Sequence, residues 1–265
     1  MDDLRTDVPH PARVYDYLLG GKTNYAADRA AAEAGMAANP DSLVPPRTNR
    51  AFLRRVVTYL AQEAGIRQFL DIGTGIPTEP NVHQVAQAAA PDARVVYVDN
   101  DPIVLAHARA LLTSSAEGRT AYVSADLRDP EQILTSPQVR DVLDMERPVA
   151  LLLIAILHFV GDADDPYGIT RRLIDALPSG SYVALSHLTG DFVPEKWAGV
   201  EAVYRKQGVT MQVRPKAAIA RFLDGLDLVE PGLDVITRWR PEPADIAGGA
   251  SDAAVSVYGA VARKP

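Results

Sequence analysis

The sequence predicts an α/β fold with a mostly parallel seven-stranded sheet, an antiparallel closing strand and an N-terminal helical cap. From Gln68 onward, short β-rich segments alternate with helical segments, which is typical of a parallel sheet covered by helices. The apolar segment VALLLIAIL at 149–157 fits a central strand that is buried on both faces. Residues 1–67 carry helical patterns and no strand pattern, and the apolar residues of the segment RTNRAFLRRVVTYLAQEAG form one stripe. We therefore expect the cap to occupy residues 1–67 and the core to occupy residues 68–265.

Five predicted strands precede the closing part of the sheet, and helices are predicted between them. The strands are 68–72, 94–99, 120–124, 149–154 and 181–187. The helices run from about Thr78–Pro80 to Ala90, through the segment IVLAHARALL, and onward from Pro130, Pro166 and Val193. Asp before Pro is a typical helix start, because Asp caps free backbone N–H groups and Pro fits the first turn. The segments LDLVEPGLDVITRW and AVSVYGAVAR predict an antiparallel closing pair.

The composition argues against several classes of protein. A formal net charge of -7 disfavours a protein that binds nucleic acid, whose phosphates are held by Lys and Arg. With no cysteine, the chain has no disulfide and no cysteine nucleophile. Its longest apolar run falls well short of the roughly 20 residues of a membrane helix. The acidic N-terminus does not fit a secretory signal, so we expect a cytoplasmic protein, either a monomer or a homodimer.

The segment FLDIGTGIPTEPNVHQVAQ at 69–87 carries the clearest functional pattern. An apolar strand ends at Asp71, and a turn follows with Gly73 and Gly75, which let backbone approach a ligand closely. Asp99 ends the next predicted strand, where a carboxylate can accept hydrogen bonds from ribose hydroxyls. The spacing of turn and acid within one βαβ unit predicts a ligand that contains adenosine.

Two cofactors fit an adenosine site of this kind. A dinucleotide favours a third glycine or alanine, because its pyrophosphate lies against the start of a helix. Here Thr78 occupies that position, and Glu79 follows it with a charge that repels phosphate. S-adenosylmethionine has no phosphate and carries a cationic ammonium and sulfonium, so nearby acids are favourable. We favour S-adenosylmethionine, with a nicotinamide cofactor as the weaker alternative.

Several segments resemble a known family. DIGTGIPT, VYVDND and ADLRDP resemble the class I Rossmann-like methyltransferases. ARVYDYLLGGKTNYAADR, LHFVGDADDP and GSYVALSH resemble one branch of them, the actinobacterial S-adenosylmethionine-dependent methyltransferases known as domain of unknown function 574. The likeness covers nearly the whole chain. It implies a class I Rossmann-like fold and methyl transfer to an acceptor, which we expect to be a small molecule.

The resemblance also implies roles for individual residues. Asp71, Gly73 and Gly75 would line the methionine end of the donor, Asp99 would hold the ribose, and residues 154–156 would lie under the sulfonium. The full set of predicted cofactor-binding residues is Asp71, Gly73, Gly75, Thr78, Asp99, Asn100, Asp126, Leu127, Ala155 and Ile156. Pro77 departs from the family pattern at a position where a third glycine often stands, which leaves the shape of the loop open.

The segment LLGGKT at 18–23 looks like the end of a P-loop, but Asp16 stands where that motif needs a glycine. A helical pattern, not a strand, leads into the glycines. We predict instead a lid that folds over the cofactor, with a hinge at its glycines. The residues assigned to the lid or substrate pocket are Tyr15, Gly20, Gly21, Lys22 and Tyr25. In the alternative interpretation the glycines only end a helix, Lys22 is solvated and the tyrosines pack.

Two further groups are candidates for chemistry. His158 follows the central predicted strand and is the candidate catalytic general base; the alternative is that it only lines the donor pocket. Asp162, Asp164 and Asp165 have the oxygen ligands that Mg²⁺ prefers, but a charged loop is usually solvated, so we expect no metal. A protein that binds S-adenosylmethionine without catalysis, as a sensor or accessory subunit, also fits the sequence, because no sharp catalytic motif is present.

Overall fold

The computed structural model describes residues 4–111, 114–243 and 249–265. Their strands form one sheet in the order β3-β2-β1-β4-β5-β8-β6, and β7 pairs with β8 beside β6. The strands are β1 (Gln68–Ile72), β2 (Arg94–Asp99), β3 (Arg119–Ser124), β4 (Ala150–Ile154), β5 (Tyr182–Leu188), β6 (Asp227–Leu228), β7 (Asp234–Val235) and β8 (Val257–Arg263). The first five are parallel to one another, whereas β8 runs antiparallel to β5, β6 and β7.

Helices precede the sheet and separate its strands. They are α1 (Pro11–Leu18), α2 (Ala26–Ala38), α3 (Val44–Gln62), α4 (Val82–Ala89), α5 (Pro102–Leu111), α6 (Pro130–Thr135), α7 (Pro137–Val142), α8 (Pro166–Asp175), α9 (Pro194–Lys206), α10 (Lys216–Ala220) and α11 (Asp252–Val255). In the described part of the chain, none of them combines the length and apolar composition needed to cross a bilayer.

The mixed α/β fold with its mostly parallel sheet is confirmed, with two local differences. The predicted pair of closing strands is observed as three strands, β6, β7 and β8, because the turn with Pro231 and Gly232 divides the strand opposite β8 into β6 and β7. Helix α4 begins at Val82, so residues 78–80 belong to the loop before it. The Asn81 N–H donates to Gln84 Oε1 at 2.6 Å and fixes this later start. The last residue of the predicted segment IVLAHARALL lies outside the described residues.

The core lies around the sheet. Every residue of β1 and β4 is buried, and because side chains alternate between faces, both faces of these strands are covered. The predicted apolar stripe of α3 joins this core, with Phe52, Val56 and Leu60 fully buried. A second, smaller cluster packs α1 and α2 against α9, with Val14, Ala32, Trp197, Val200, Tyr204 and Met211 among its members.

A buried ion cluster attaches the N-terminal helices to the end of β2. The guanidinium of Arg13 lies 3.2 Å from Asp101 and 3.6 Å from Asp28, and all three side chains are almost fully buried. Since α3 packs against the sheet while α1 and α2 dock by this cluster, residues 1–67 contact the core in two different ways. The division of the chain at residue 67 stays a prediction.

Replacing Gly259 with Ala should destabilise the fold. A Cβ on Gly259 in β8 would lie 2.6 Å from Ile236 Cγ2 and 2.7 Å from the Phe52 ring. Overpacking of this kind costs about 1–3 kcal/mol of unfolding free energy, which urea denaturation measures. Gly35→Ala is the control, because its new Cβ meets only a Tyr204 ring carbon at 3.5 Å. Equal stability of the two variants would contradict the packing described for β8.

Candidate functional site

An open cavity of about 320 Å³, here the main cavity, lies at the carboxyl ends of the central parallel strands. Ligands of open α/β sheets bind at this edge. All ten predicted cofactor-binding residues line the main cavity, namely Asp71, Gly73, Gly75, Thr78, Asp99, Asn100, Asp126, Leu127, Ala155 and Ile156. Asp71 and Asp99 lie at the ends of β1 and β2, and the others come from the loops after β1, β2, β3 and β4. The fold therefore brings together residues that are far apart in the chain.

A hydrogen bond joins the glycine turn to the end of β2. The Gly75 N–H donates to Asp99 Oδ2 at 2.8 Å, and the Asp101 N–H donates to Asp99 Oδ1 at 2.9 Å. Burial raises the pKa of Asp99, while these two backbone donors work in the opposite direction. Each carboxylate oxygen has a second lone pair, so Asp99 can accept further hydrogen bonds from a ligand.

The two glycines of the turn have different requirements. Gly73 has φ +77°, and a Cβ there would lie 2.6 Å from Ile156 Cγ1, so both conformation and space exclude a side chain. Gly75 has φ +69° and open space around it. The turn thus exposes backbone to the cavity at Gly75 and packs against the loop after β4 at Gly73.

A polar cluster closes one end of the main cavity. Asn100 Nδ2 donates to Asp126 Oδ2 at 2.9 Å, and the Arg128 N–H donates to Asp126 Oδ1 at 2.8 Å. Burial acts to raise the pKa of Asp126, but these hydrogen bonds and the Arg128 charge outweigh it and leave the pKa lowered. Asp126 is therefore ionised at neutral pH.

Asp71 and Arg50 face the other end of the main cavity. Burial raises the pKa of Asp71 to about 7, with Arg50 acting to lower it and Asp99 to raise it. The Arg50 guanidinium donates to the carbonyl oxygen of Thr78 at 2.6 Å and also to that of Pro80, which holds the loop before α4. This end of the cavity thus has a cation, and a carboxyl whose charge changes near neutral pH.

Residues 9–12, Tyr15 and Asp16 form part of the wall of the main cavity, so the start of α1 covers it. His10 Nε2 lies 3.2 Å from Asn100 Oδ1, and its Nδ1 lies 3.2 Å from Asp101 Oδ2. The N-terminal helix therefore contacts the residues that follow Asp99.

A chain of hydrogen bonds fixes the wall at the end of β4. The Ala155 N–H donates to Ser186 Oγ at 3.0 Å, and Ser186 Oγ donates to Asn49 Oδ1 at 2.6 Å. Asn49 Nδ2 donates to the Tyr15 hydroxyl at 3.1 Å, which donates to the Pro46 carbonyl oxygen at 3.0 Å. Ala155 has φ +55°, a strained conformation for a residue with a side chain, and it lines the main cavity.

Gly20, Gly21, Lys22 and Tyr25 lie outside the lining of the main cavity, and their role in a lid stays a prediction. Gly20 and Gly21 end α1: Gly20 N–H donates to Tyr17 O, and Gly21 N–H donates to Asp16 O, with φ +82° at Gly20. This is the helix-ending motif that glycine favours. Lys22 is exposed.

Tyr25 precedes α2, and its ring lies 5.6 Å from the Arg13 guanidinium carbon. Among the residues assigned to the lid, Tyr15 lines the main cavity. Asp16 explains the glycine at position 21, since a Cβ there would overlap its carboxylate.

His158 lies outside the main cavity. It lines a second cavity of about 60 Å³, which shares Pro11, Tyr15, Asn49, Ala155 and Phe159 with the main cavity. Burial lowers the pKa of His158 well below its usual value, and His187 and Arg214 lower it further. A general base must hold a proton, and this environment disfavours the imidazolium. The ring of His158 is therefore neutral and weakly basic, and its role as a general base stays a prediction.

The acidic loop before α8 is bound by arginines. Asp162 Oδ1 lies 2.7 Å from the Arg214 guanidinium, and Asp164 Oδ2 lies 3.2 Å from that of Arg128. Asp165 caps α8 by accepting from the Gly168 N–H at 3.0 Å. Within the described ranges, no group of three or more His, Asp or Glu side chains is arranged to hold a metal ion.

Comparison with known families gives the chain its relatives. A family model described as S-adenosyl methyltransferase matches residues 1–265. The chain belongs to this S-adenosyl methyltransferase family. The cofactor of the chain is therefore S-adenosylmethionine. No significant match was found among curated proteins.

Solved structures agree with this family. The crystal structure of a DUF574 family protein from Streptomyces avermitilis MA-4680 has 52% identity and a TM-score of 0.96, over 99% of this chain and 100% of that one. A protein from Thermobifida fusca YX, considered a methyltransferase, has 41% identity and a TM-score of 0.88, over 98% of this chain and 97% of that one. These sources confirm the predicted resemblance.

A more distant structure has the same fold. The plantazolicin methyltransferase BamL, solved with S-adenosylhomocysteine and a triazolic desmethylPZN analogue, has 10% identity and a TM-score of 0.56 over 96% of each chain. At this identity the likeness concerns the fold alone. It agrees with the class I Rossmann-like architecture of the S-adenosyl methyltransferase family.

Sequence reasoning missed many residues of the main cavity, among them His10, Asn49, Arg50 and Phe159. Asn49 and Arg50 lie on α3, whose apolar stripe predicted its packing but not which polar residues its first turns present to the cavity. One feature of the sequence could have indicated Asn49 and Arg50, since polar residues that precede a buried apolar stripe need hydrogen-bond partners. The indication for His10 was weaker: it is a polar residue just before the proline that begins a helix.

The raised pKa of Asp71 predicts a pH-dependent stability. Between about pH 4 and 7 the folded state holds a proton on Asp71 that the unfolded chain releases, so this residue's contribution to stability falls as pH rises. Each pKa unit corresponds to about 1.4 kcal/mol. Asp71→Asn removes the titration, so its stability relative to wild type should increase from pH 4 to pH 8. Urea unfolding measures this; an unchanged difference would contradict the assignment.

Proposed function

We propose that this chain transfers the methyl group of S-adenosylmethionine to a small-molecule acceptor. The observation that carries the proposal is the hydrogen bond from Gly75 to Asp99 beside the open main cavity. It leaves a buried carboxylate with free lone pairs next to exposed backbone, which suits a ribose with two hydroxyls. Family membership supports the donor; the acceptor comes from the shape and lining of the cavities.

The residues present fit the donor along the whole main cavity. Asp99 would accept from the ribose hydroxyls, and Asn100, Asp126 and Leu127 would surround the adenine. The glycine turn and Thr78 would follow the methionine chain, and Ala155 with Ile156 would lie under the sulfonium. Glycine at 75 leaves open space beside its backbone, whereas glycine at 73 lets the turn pack against Ile156, which a Cβ there would overlap.

Asp71 and Arg50 suit the two charges of the methionine end. The ammonium group favours an ionised Asp71, and the Arg50 guanidinium has donors beyond those that bind the loop carbonyls. We assign the carboxylate to Arg50 and not to Lys22 of the predicted lid, because Lys22 is exposed and lies outside the main cavity.

The chemistry is a direct displacement. S-adenosylmethionine supplies a methyl group on a cationic sulfur; the nucleophilic atom of the acceptor bonds to that carbon while the carbon–sulfur bond breaks and leaves its electrons on sulfur. Any proton that the acceptor loses passes to water. The protein aligns the reactants and excludes other nucleophiles, so a strong base is not required.

Two alternatives make different predictions. A nicotinamide-dependent oxidoreductase would place a pyrophosphate at the start of the helix after the glycine turn. In this chain Asn81 and Gln84 cap that helix, and exposed Glu79 precedes it. A non-catalytic protein that binds the donor as a sensor or accessory subunit would use the same main cavity without methyl transfer.

Donor binding tests the proposal directly. Calorimetric titration should show binding of S-adenosylhomocysteine and none of NAD. Asp99→Ala should weaken S-adenosylhomocysteine at least about tenfold, since it removes hydrogen bonds to a buried charge. Labelled methyl donor incubated with small-molecule extracts should label a product with wild type and not with Asp99→Ala. Binding of NAD in place of S-adenosylhomocysteine would overturn the proposal, whereas donor binding without any labelled product would favour the sensor.

Arg50 and Lys22 can be separated by a second pair of ligands. Arg50→Met should weaken S-adenosylhomocysteine at least about tenfold, the range for loss of a charged hydrogen bond, but should leave adenosine unchanged because adenosine has no carboxylate. Lys22→Met is the matched control and should change neither affinity. If Arg50→Met weakened both ligands equally, Arg50 would act by holding the loop and not by binding the carboxylate.

A further inference from the structure

The second cavity adjoins the main cavity at the predicted sulfonium floor. Its lining shares Tyr15, Ala155 and Phe159 with the main cavity. These residues stand after the carboxyl end of β4 and on α1, where the methyl group of a donor in the main cavity would point. A molecule in the second cavity would therefore approach that methyl group where the two cavities meet.

The two cavities differ in charge. The main cavity is lined by Arg50, Asp71, Asp99, Asp126 and Arg128, among others. The second cavity, over the described residues, has no Asp, Glu, Lys or Arg in its lining. A charged group moved there from water would have no counterion and would lose hydration, so the cavity favours an uncharged occupant.

Two buried polar atoms point to an occupant. The Trp197 Nε1 and the His158 Nδ1 both lie in side chains that line the second cavity and are 3% exposed. Neither atom has a hydrogen-bond partner among the described residues. Buried N–H groups and ring nitrogens are normally satisfied, so an unpartnered pair beside one cavity indicates polar atoms of a ligand.

The neighbouring His187 shows the contrast. Its Nδ1 lies 2.7 Å from the Leu188 carbonyl oxygen, so Nδ1 donates. Its Nε2 accepts from the Arg214 guanidinium at 3.0 Å. Both ring nitrogens of His187 are therefore occupied within the protein, whereas His158 keeps Nδ1 for another partner. The lowered pKa of His158 keeps that ring neutral, so it can hydrogen-bond a neutral group without adding charge.

We propose that the second cavity is the acceptor site, and that it takes an uncharged, mainly apolar molecule, or the apolar end of one, with a single polar group beside Trp197 and His158. This inference rests on the proposed function. The cavity of about 60 Å³ is several times the roughly 10–15 Å³ that one water needs, so it holds a group of about four to six non-hydrogen atoms. The wall chain from Ala155 through Ser186 and Asn49 to Tyr15 keeps this group in line with the methyl donor.

Gly35 on α2 gives a way to fill the cavity without disturbing the sheet. It lines the second cavity, and a Cβ there meets only a Tyr204 ring carbon at 3.5 Å. Gly35→Leu therefore places a side chain in the cavity. Ala37→Leu, on the exposed side of the same helix, is the matched control. S-adenosylhomocysteine affinity reports folding and the integrity of the main cavity in both variants, with Gly35→Ala as the milder change.

The experiment uses cyclopentanol as the probe, titrated by NMR into the full chain saturated with S-adenosylhomocysteine, and butyrate as a charged probe of similar size. Wild type and Ala37→Leu should bind cyclopentanol alike and bind it better than butyrate. Gly35→Leu should weaken cyclopentanol at least about tenfold without changing S-adenosylhomocysteine affinity. Trp197→Phe removes the N–H but keeps an aromatic ring, and should weaken cyclopentanol severalfold.

Two results distinguish the inference from the function on which it rests. Three outcomes would exclude the second cavity as the acceptor site while S-adenosylhomocysteine still binds. Cyclopentanol would bind the Gly35→Leu variant as tightly as wild type, would bind neither protein, or would bind no more tightly than butyrate. In each case the proposed function stands. If wild type does not bind S-adenosylhomocysteine, the proposed function fails and the acceptor role of this cavity fails with it.

Discussion

The hydrogen bond between Gly75 and Asp99 is the constraint on which the site depends. It joins the turn after β1 to the end of β2 through a buried carboxylate. Burial alone would favour the protonated form of Asp99, and the two backbone donors oppose that effect. The bond therefore fixes the acid relative to the turn, and both line the main cavity.

The N-terminal helices depend on the same strand end. Asp101, two residues after Asp99, pairs with Arg13 and His10, and Asp28 lies within reach of Arg13. Buried ion pairs contribute little net stability, because desolvation offsets their attraction, but they strongly disfavour alternative arrangements in which one charge is left alone. The cluster therefore specifies where α1 lies over the main cavity. The wall chain through Asn49 and Ser186 extends this control to α3 and β5.

The sequence was sufficient to predict the strands and the residues at their carboxyl ends. Alternation of short apolar segments with helices is a local signal, and parallel strands bring their ends together, so Asp71, Gly75 and Asp99 could be placed in one cavity before any coordinates. The start of α4 was misplaced because Asn81 and Gln84 form a cap whose strength depends on side-chain geometry. The segment opposite β8 was predicted as a single strand, because the turn within it leaves the apolar pattern intact.

The contacts of the N-terminal segment were harder to predict from the sequence, because they are long-range. The pattern LLGGKT drew attention to Lys22, yet Gly21 is explained by the buried Asp16, which lies one helical turn earlier and carries no local sign of its burial. Arg50 looked like any charged residue on a helix. Its position over the loop carbonyls of Thr78 and Pro80 follows from how α3 packs on the sheet, which periodicity does not specify.

The origin of the second cavity's walls has a consequence for how this protein can change. Much of that wall comes from α1, α2 and α9, whereas the main cavity is built chiefly from the loops that end the strands. Mutations at helix positions such as Ala32, Gly35 or Val200 can change the shape of the second cavity without altering the strand ends. Under the proposed acceptor role of the second cavity, new acceptor ranges can therefore arise, or be engineered, while the loops at the strand ends stay unaltered.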